Sequence, residues 1–349
     1  MIRSVDQRNF PGIFMIAQLL GMLSIGMVQA ATPTGEEILD GLNASPKELA
    51  RLDQGEVINF SGEAWEQTKR ELAADSVVVI DKPLEDVLEK TLDDASLVPA
   101  NKVLDSGDIR TLEDFSKFVL TTNDLKEAEE ILSAKMGKDL NLSTEEIAEI
   151  QSRAGTLNSD TPDSERLDVA SDLMRDVLIT RYQAYRENGL AGIAPYARAS
   201  RKTVSVGDEL RLTTEMHEPI EQFFPEYYQT LVNYPEGADC CEHRFFWLKV
   251  KMVKRPAWAL VHRITLRGED FALVTERYFY TTHSLNSLQI TVAWLPYGDG
   301  STYLGLATSA SADILTGFKG KILRAVGRDK AGELVGGVLE DVQAELQNE

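Results

Sequence analysis

The last third of this chain alternates between apolar and other side chains every two residues, and this pattern constrains the fold most. Such alternation indicates half-buried strands. It recurs in five segments, Phe246–Met252, Trp258–Leu266, Phe271–Tyr280, Leu288–Leu295 and Thr302–Thr308. Short turns at Arg267–Asp270 and Tyr297–Gly300 separate some of them. The sequence therefore predicts a five-stranded antiparallel meander.

Helical patterns flank the meander. A long amphipathic helix is predicted from Asp163 to Asn188, with Gly189 placed to end it. A terminal helix follows the last strand, although glycines weaken its middle. Its apolar positions are Ile314, Phe318, Ile322 and Val326, then Val335, Val338, Val342 and Leu346. An antiparallel sheet backed by this helix predicts an α+β domain.

Acidic residues are concentrated before the long helix. The 349 residues carry a net charge of −20, and residues 31–170 hold 32 acidic but only 14 basic side chains. We predict an acidic, mainly helical region at 31–162 with one short strand at Val77–Ile80, and a second region at 163–349. So acidic a chain is not expected to bind nucleic acid, which selects clustered basic surfaces.

Residues 1–30 have the pattern of a secretory signal. Arg3 and Arg8 precede an uncharged apolar run at 13–28, and small residues stand before a cleavage point near Ala30. The alternative is an uncleaved anchor. No later segment is long and apolar enough to span a membrane. We therefore expect a periplasmic or secreted protein.

The order of elements resembles the helix-grip (START-like) architecture, and the last third also resembles an uncharacterised family of exported bacterial proteins. The matching stretches are Phe246-Trp247-Leu248-Lys249 with Pro256, His262-Arg263, Glu276–His283, and Tyr303 with Asp313, Gly317, Gly320 and Arg324. They span about 80 residues, and Ala307–Ser309 departs from the family, where an arginine is expected. The resemblance implies architecture and export. It implies no activity and no catalytic residues.

A histidine and a carboxylate on neighbouring strands are the main catalytic candidates. With a three-residue hairpin loop we expect His262 to face Glu276, whereas with a four-residue loop we expect it to face Thr275. A paired histidine could act as a general base. The alternative is a buried polar cluster with a tyrosine hydroxyl. His283, at a strand end, is a weaker candidate, and no nucleophile can be identified.

Aromatic residues on the strands could form either a core or the wall of an apolar pocket. The candidate ligand-binding residues are Phe246, Trp258, His262, Tyr278, Tyr280, Trp294 and Tyr303. The chain contains no phosphate loop, dinucleotide fingerprint or recognised metal-site spacing, so no cofactor and no metal are expected.

Two further features allow alternatives. Cys240 and Cys241 could be two unpaired thiols, a vicinal disulfide, or part of a metal site with Asp239 and His243. The terminal helix is locally basic, so its outer face could be merely solvated or could touch an anionic membrane.

These observations support three hypotheses about function. The first is an exported protein that binds a hydrophobic or amphipathic small molecule, or a lipid, in a helix-covered sheet. The second is a hydrolase or isomerase using His262 and Glu276. The third is a non-catalytic envelope protein whose acidic helices meet a cationic partner. Enzymatic activity is the less expected outcome.

Overall fold

The computed structural model describes residues 32–61, 66, 68–92, 96–137, 139–252 and 255–347. The predicted signal sequence at 1–30 lies outside these residues. Among the described residues, eight strands form one antiparallel sheet in the order β1-β2-β10-β9-β8-β7-β6-β3. The strands of this sheet are β1 Ile58–Ser61, β2 Glu71–Ile80, β3 Val103–Asp108, β6 Glu242–Val250, β7 Ala257–Arg267, β8 Ala272–Thr281, β9 Ser287–Tyr297 and β10 Ser301–Ser311. A separate two-stranded sheet contains β4 Tyr196–Arg198 and β5 Lys202–Val204.

The predicted α+β class is confirmed, and the five predicted meander strands are β6 to β10. The helices are α1 Gly35–Gly41, α2 Pro46–Leu52, α3 Leu84–Thr91, α4 Leu125–Leu132, α5 Thr144–Ala154, α6 Asp163–Asn188, α7 Val206–Glu215, α8 Glu218–Phe223, α9 Pro225–Asn233 and α10 Gly317–Gln347. The long helix α6 has the predicted bounds. The predicted short strand lies within β2, while β1 and β3 had no recognisable sequence signal.

Helices cover the sheet on both sides, and we name the two surfaces after their longest helices. The α6 face packs against α6 and its neighbouring helices, with rings from β6, β7 and β8 in the shared core. At its other end the same face packs against α1, α8 and α9. The α10 face packs against α3 and α10. Because strand side chains alternate, each strand contributes to both cores.

Helix α10 continues through the glycines that were expected to weaken its middle, because those glycines bring it close to the sheet. A Cβ atom on Gly327 would lie 2.8 Å from Leu72 Cδ1, and one on Gly336 would lie 2.6 Å from Asn59 Oδ1. Leu72 belongs to β2 and Asn59 to β1, so larger residues would push the helix away from these two strands.

Only part of the predicted apolar stripe of α10 faces the sheet. Val335 and Leu346 are buried, whereas Phe318 and Ile322 are exposed. The packing surface of the first half of the helix consists mainly of glycines, and its large apolar side chains point elsewhere.

Candidate functional site

The loop of the β7–β8 hairpin decides which residue lies opposite His262. The loop contains four residues, 268–271, so His262 pairs with Arg277 and Glu276 pairs with Arg263. Neither partner considered from the sequence is correct. Adjacent strand residues point to opposite faces, so His262 lies on the α6 face and Glu276 on the α10 face. The expected His262–Glu276 pair is not formed, and the hydrolase or isomerase hypothesis loses its basis.

His262 instead belongs to a hydrogen-bonded chain inside the α6 face. Its Nδ1 atom lies 2.9 Å from the Tyr185 hydroxyl of α6, and its Nε2 atom lies 2.8 Å from His243 Nδ1. His243 Nε2 lies 2.9 Å from the Ala238 carbonyl oxygen. The His262 ring also stacks on Phe245 at 4.2 Å. Both nitrogens of each histidine are therefore engaged.

When both histidines are neutral, all the hydrogen bonds of this network must be donated in the same direction. The Ala238 carbonyl can only accept, so His243 Nε2 must donate to it and His243 Nδ1 must accept from His262 Nε2. His262 Nδ1 then accepts from the Tyr185 hydroxyl. Burial lowers the pKa of His262 well below its ordinary value, and the nearby charges of His243 and Arg277 lower it further. Burial also lowers the pKa of His243. With both histidines neutral, this hydrogen-bonded network is structural, because no imidazole nitrogen is left free to act as a base.

Glu276 holds a loop against the opposite face of the sheet. Its carboxylate accepts hydrogen bonds from the Leu97 N–H at 3.0 Å, the Ser96 hydroxyl at 3.1 Å and the Tyr278 hydroxyl at 3.2 Å. Arg263 lies 3.5 Å away and donates to the Leu92 carbonyl. Burial raises the pKa of Glu276, whereas these neighbours oppose the rise. Glu276 therefore fixes the segment after α3.

His283 is also fully engaged. Its Nε2 atom lies 2.7 Å from the Pro256 carbonyl oxygen and its Nδ1 atom 2.6 Å from the Ser284 hydroxyl. Burial lowers the pKa of His283 to about 4. The side chain joins the end of β8 to the residue before β7.

The seven candidate ligand-binding residues do not line one pocket. Trp258, His262 and Tyr280 lie in the packed core of the α6 face. Tyr303 lies at the other end of that face. The remaining three residues, Phe246, Tyr278 and Trp294, lie on the α10 face. Strand alternation thus divides the aromatic set between the two faces of the sheet.

A large groove runs between the α10 face and helix α10, and we call it the α10 groove. Its volume is about 920 Å³, within the range of small-molecule sites. Phe246 and Trp294 belong to its floor. The other apolar residues that line it on β6, β9, β10 and α10 are Leu248, Val292, Leu304, Leu306, Val338, Leu339 and Val342.

The remaining wall of the α10 groove comes from the chain between α3 and the end of β3. Ser96 and Leu97, which Glu276 holds, are part of this wall. Trp294 Nε1 donates to Thr91 Oγ1 at 2.8 Å, so the indole is also fixed from α3. The floor and this wall are therefore set by hydrogen bonds within the protein.

Carboxylates are concentrated at the rim of the α10 groove. Asp341 and Glu345 of α10 and Asp105 of β3 are exposed there, and none forms an ion pair with another described residue. Asp108 is the exception, since it pairs with Arg244 at 2.6 Å. The groove therefore combines an apolar floor with a negatively charged rim.

A second, smaller pocket of about 90 Å³ lies on the α6 face beside Tyr303. Asp75 lines it and is 9% exposed. No described residue forms a hydrogen bond or an ion pair with the Asp75 carboxylate. Burial raises the pKa of Asp75 to about 7. His217 lines the same pocket, and burial lowers its pKa to about 4. We call this site the Asp75 pocket.

The two cysteines form a disulfide, so the interpretation as unpaired thiols is wrong. They lie at the end of a short 3-10 turn before β6, where the adjacent side chains bring their sulfurs together. His243 is turned toward His262, and within the described part of the chain no cluster of histidine, cysteine and acidic residues could hold a metal ion. The possible Cys-Cys-x-His site is therefore not assembled.

No protein-family model, no curated protein and no solved structure matches this chain. The resemblances to the helix-grip architecture and to an exported family stay predictions. Among the helices that the structure describes, none combines the length and the apolar character needed to cross a membrane.

Sequence reasoning missed most of the groove. The stripe containing Val338 and Val342 was recognised as helical, but nothing showed that it faces a cavity. The wall from β3 was missed altogether because its sequence, Val-Leu-Asp-Ser-Gly-Asp, lacks apolar alternation. Leu304 and Leu306 were visible as alternating apolar positions, and that signal could have placed them beside Trp294.

Proposed function

We propose that this protein binds an amphipathic small molecule or lipid in the α10 groove. The observation that supports this most directly is a volume of about 920 Å³ over an apolar floor of strands covered by one helix. In packed interiors voids larger than a water molecule are few. An apolar chain on the floor would recover the contacts that the open space leaves unmade.

The charge at the rim favours a ligand with a neutral or cationic polar group. The carboxylates of Asp105, Asp341 and Glu345 would repel an anionic head group placed between them. A cationic group would lie beside unpaired carboxylates while the apolar part occupies the floor. Exposure to solvent limits the size of this preference.

We also propose that binding takes place outside the cytoplasm. The signal pattern at residues 1–30 supports this, and the Cys240–Cys241 disulfide is compatible with an oxidising compartment. Fractionation of cells that produce the full chain tests the location. Retention of the whole protein in the cytoplasm would contradict it.

The binding proposal is tested by titrating the full chain with N-phenyl-1-naphthylamine, a neutral apolar fluorophore, and by displacing it with dodecylamine. Val338→Trp places an indole in the groove and is expected to weaken fluorophore binding at least tenfold. Leu334→Trp is the matched control, since Leu334 lies on the same helix and is exposed outside the groove. The proposal fails if the fluorophore does not bind or if both variants bind it equally.

A further inference from the structure

The first half of α10 carries an exposed apolar stripe on the side away from the sheet. Phe318 is 85% exposed, and Ile314, Ile322 and Val326 are each more than half exposed. Phe318, Ile322 and Val326 are spaced by four, so they lie along one side of α10. Ile314 precedes the helix, in the 3-10 turn Asp313–Leu315. Gly327, which packs on Leu72 of β2, lies about 180° around the helix from Phe318.

Such a stripe is unusual on the surface of a water-soluble fold. Isolated exposed apolar residues are ordinary, but a contiguous set marks a surface that contacts another apolar phase. Here the largest member, Phe318, is almost completely in solvent. The sheet cannot cover the stripe because the glycine side of the helix already occupies that contact.

Lysines lie on both sides of the stripe. On a regular helix, Lys319 and Lys321 are about 100° and 60° to either side of Phe318. Lys330 follows about two and a half to three turns after them, at about 120° from Phe318. None of the three forms an ion pair with a described residue, whereas Arg328 is paired with Glu66 at 2.7 Å.

This local charge is opposite to that of the rest of the molecule. Residues 314–330 contain five basic side chains and one acidic side chain, although the whole chain carries −20. A helix with an apolar face and flanking lysines is suited to lie in the plane of an anionic bilayer surface, where the lysine ammonium groups remain at the head groups. Stripe-to-stripe packing of two copies would bring these lysines together, and like-charge repulsion disfavours that arrangement.

We propose that the first half of α10 binds the surface of an anionic lipid membrane, with Phe318 and Ile322 inserted below the head groups. Each lysine near such a surface adds attraction that depends on anionic lipid and is screened by salt. The other face of the same helix remains on the sheet. This surface is independent of the ligand in the α10 groove.

The experiment measures co-sedimentation of the full chain with two kinds of vesicle, phosphatidylcholine alone and phosphatidylcholine mixed three to one with phosphatidylglycerol. Binding is expected to the mixed vesicles and to weaken in high salt. Hydrogen exchange is recorded in parallel, so that contact is located in the chain. Residues 314–326 are expected to gain protection, which separates this contact from any contribution of the apolar run at 13–28.

Two double variants at exposed residues test the apolar and the electrostatic contributions to membrane binding separately. Phe318→Ser with Ile322→Ser is expected to weaken binding to mixed vesicles at least tenfold. Lys319→Gln with Lys321→Gln should weaken it about 25-fold on mixed vesicles and hardly at all on neutral ones. Leu334→Ser is the control, because Leu334 is 64% exposed on α10 but lies outside the stripe.

The proposal is overturned if mixed vesicles protect no residue between 314 and 326, or if Phe318→Ser with Ile322→Ser binds like the unmodified chain. It is also overturned if light scattering shows a dimer that this double variant converts to monomer, since a second copy would then cover the stripe.

Discussion

The two faces of the central sheet contain similar residues but differ in how completely they are filled. On the α6 face, Tyr185 stacks on Phe279 at 4.1 Å and His262 stacks on Phe245 at 4.2 Å. On the α10 face, Phe246 is part of the floor of an open groove. Alternation along a strand supplies apolar side chains to both faces, so the covering helices decide which face becomes core.

The largest expected difference comes from the same substitution on each face. Phe279 and Phe246 are both almost fully buried. Phe279→Ala should lower the free energy of unfolding by about 3–5 kcal/mol, because it removes a ring that is packed on all sides. Phe246→Ala should cost about 1–2 kcal/mol less, since the space it leaves would open into the α10 groove and would not remain an enclosed cavity. Denaturant unfolding of both variants measures this.

The same pair of variants separates packing from binding. Phe246→Ala is expected to change affinity for an apolar ligand, whereas Phe279→Ala should change stability only. Equal losses of stability together with unchanged ligand affinity would show that the two faces are equivalent cores.

The sequence predicts the strands of this sheet better than their partners. Alternation identified β6 to β10, and the periodicity of α6 gave its bounds, because both signals are local. The register of the β7–β8 hairpin depends on whether its loop has three or four residues. That difference places Glu276 opposite Arg263 and removes it from His262.

The division into a core face and a groove face could not be predicted for a related reason. Trp258 and Trp294 have similar local patterns, yet only Trp294 lines the groove. The difference depends on which helix covers each residue, and helices α6 and α10 are far apart in the chain. The glycines of α10 were read as weak helix formers, whereas their effect is to permit close packing on β1 and β2.

The Asp75 pocket interrupts the otherwise packed α6 face, and it should make stability depend on pH. Asp75 has a pKa of about 7 in the folded protein and about 3.9 when unfolded. The folded state therefore holds the proton more tightly, and this residue's contribution to stability is lost as pH rises from about 4 to 7. Asp75→Asn should remove that loss and be more stable by about 4 kcal/mol at pH 8.

Histidines act in the opposite direction over nearly the same range. His217 and His283 each have a pKa of about 4 when folded, so acid below pH 6.5 favours the unfolded state. The informative quantity is thus the difference between Asp75→Asn and the unmodified chain, measured by unfolding at several pH values. Asp81→Asn, an exposed change just after the same strand, is the control. A difference that does not vary with pH would show that Asp75 is not the titrating group.

A smaller effect is expected where the sheet holds the wall of the groove. Glu276→Gln replaces an acceptor of three hydrogen bonds and leaves Arg263 beside a neutral amide, so it should destabilise the protein by about 2 kcal/mol. Ligand affinity should also fall, because Ser96 and Leu97 line the α10 groove. Glu269→Gln, in the exposed β7–β8 loop, should change neither property. Thermal unfolding of both variants measures the change in stability, and fluorophore titration measures the change in ligand affinity. An unchanged affinity in Glu276→Gln would show that this wall is not needed for binding.

The smallest expected change in stability is at the rim, where the effect should be on selectivity. Asp341→Asn with Glu345→Gln alters two exposed carboxylates without ion pairs among the described residues, so stability should change by less than about 0.5 kcal/mol. Competition between dodecylamine and dodecanoate should show a preference for the amine in the unmodified chain and a several-fold smaller preference in the variant. A matched change at Glu149→Gln and Asp168→Asn, on α5 and α6 away from the groove, should leave that preference intact. If both double variants lose it equally, the preference reflects the net charge of the molecule, and the rim of the α10 face is no more selective than the rest of the surface.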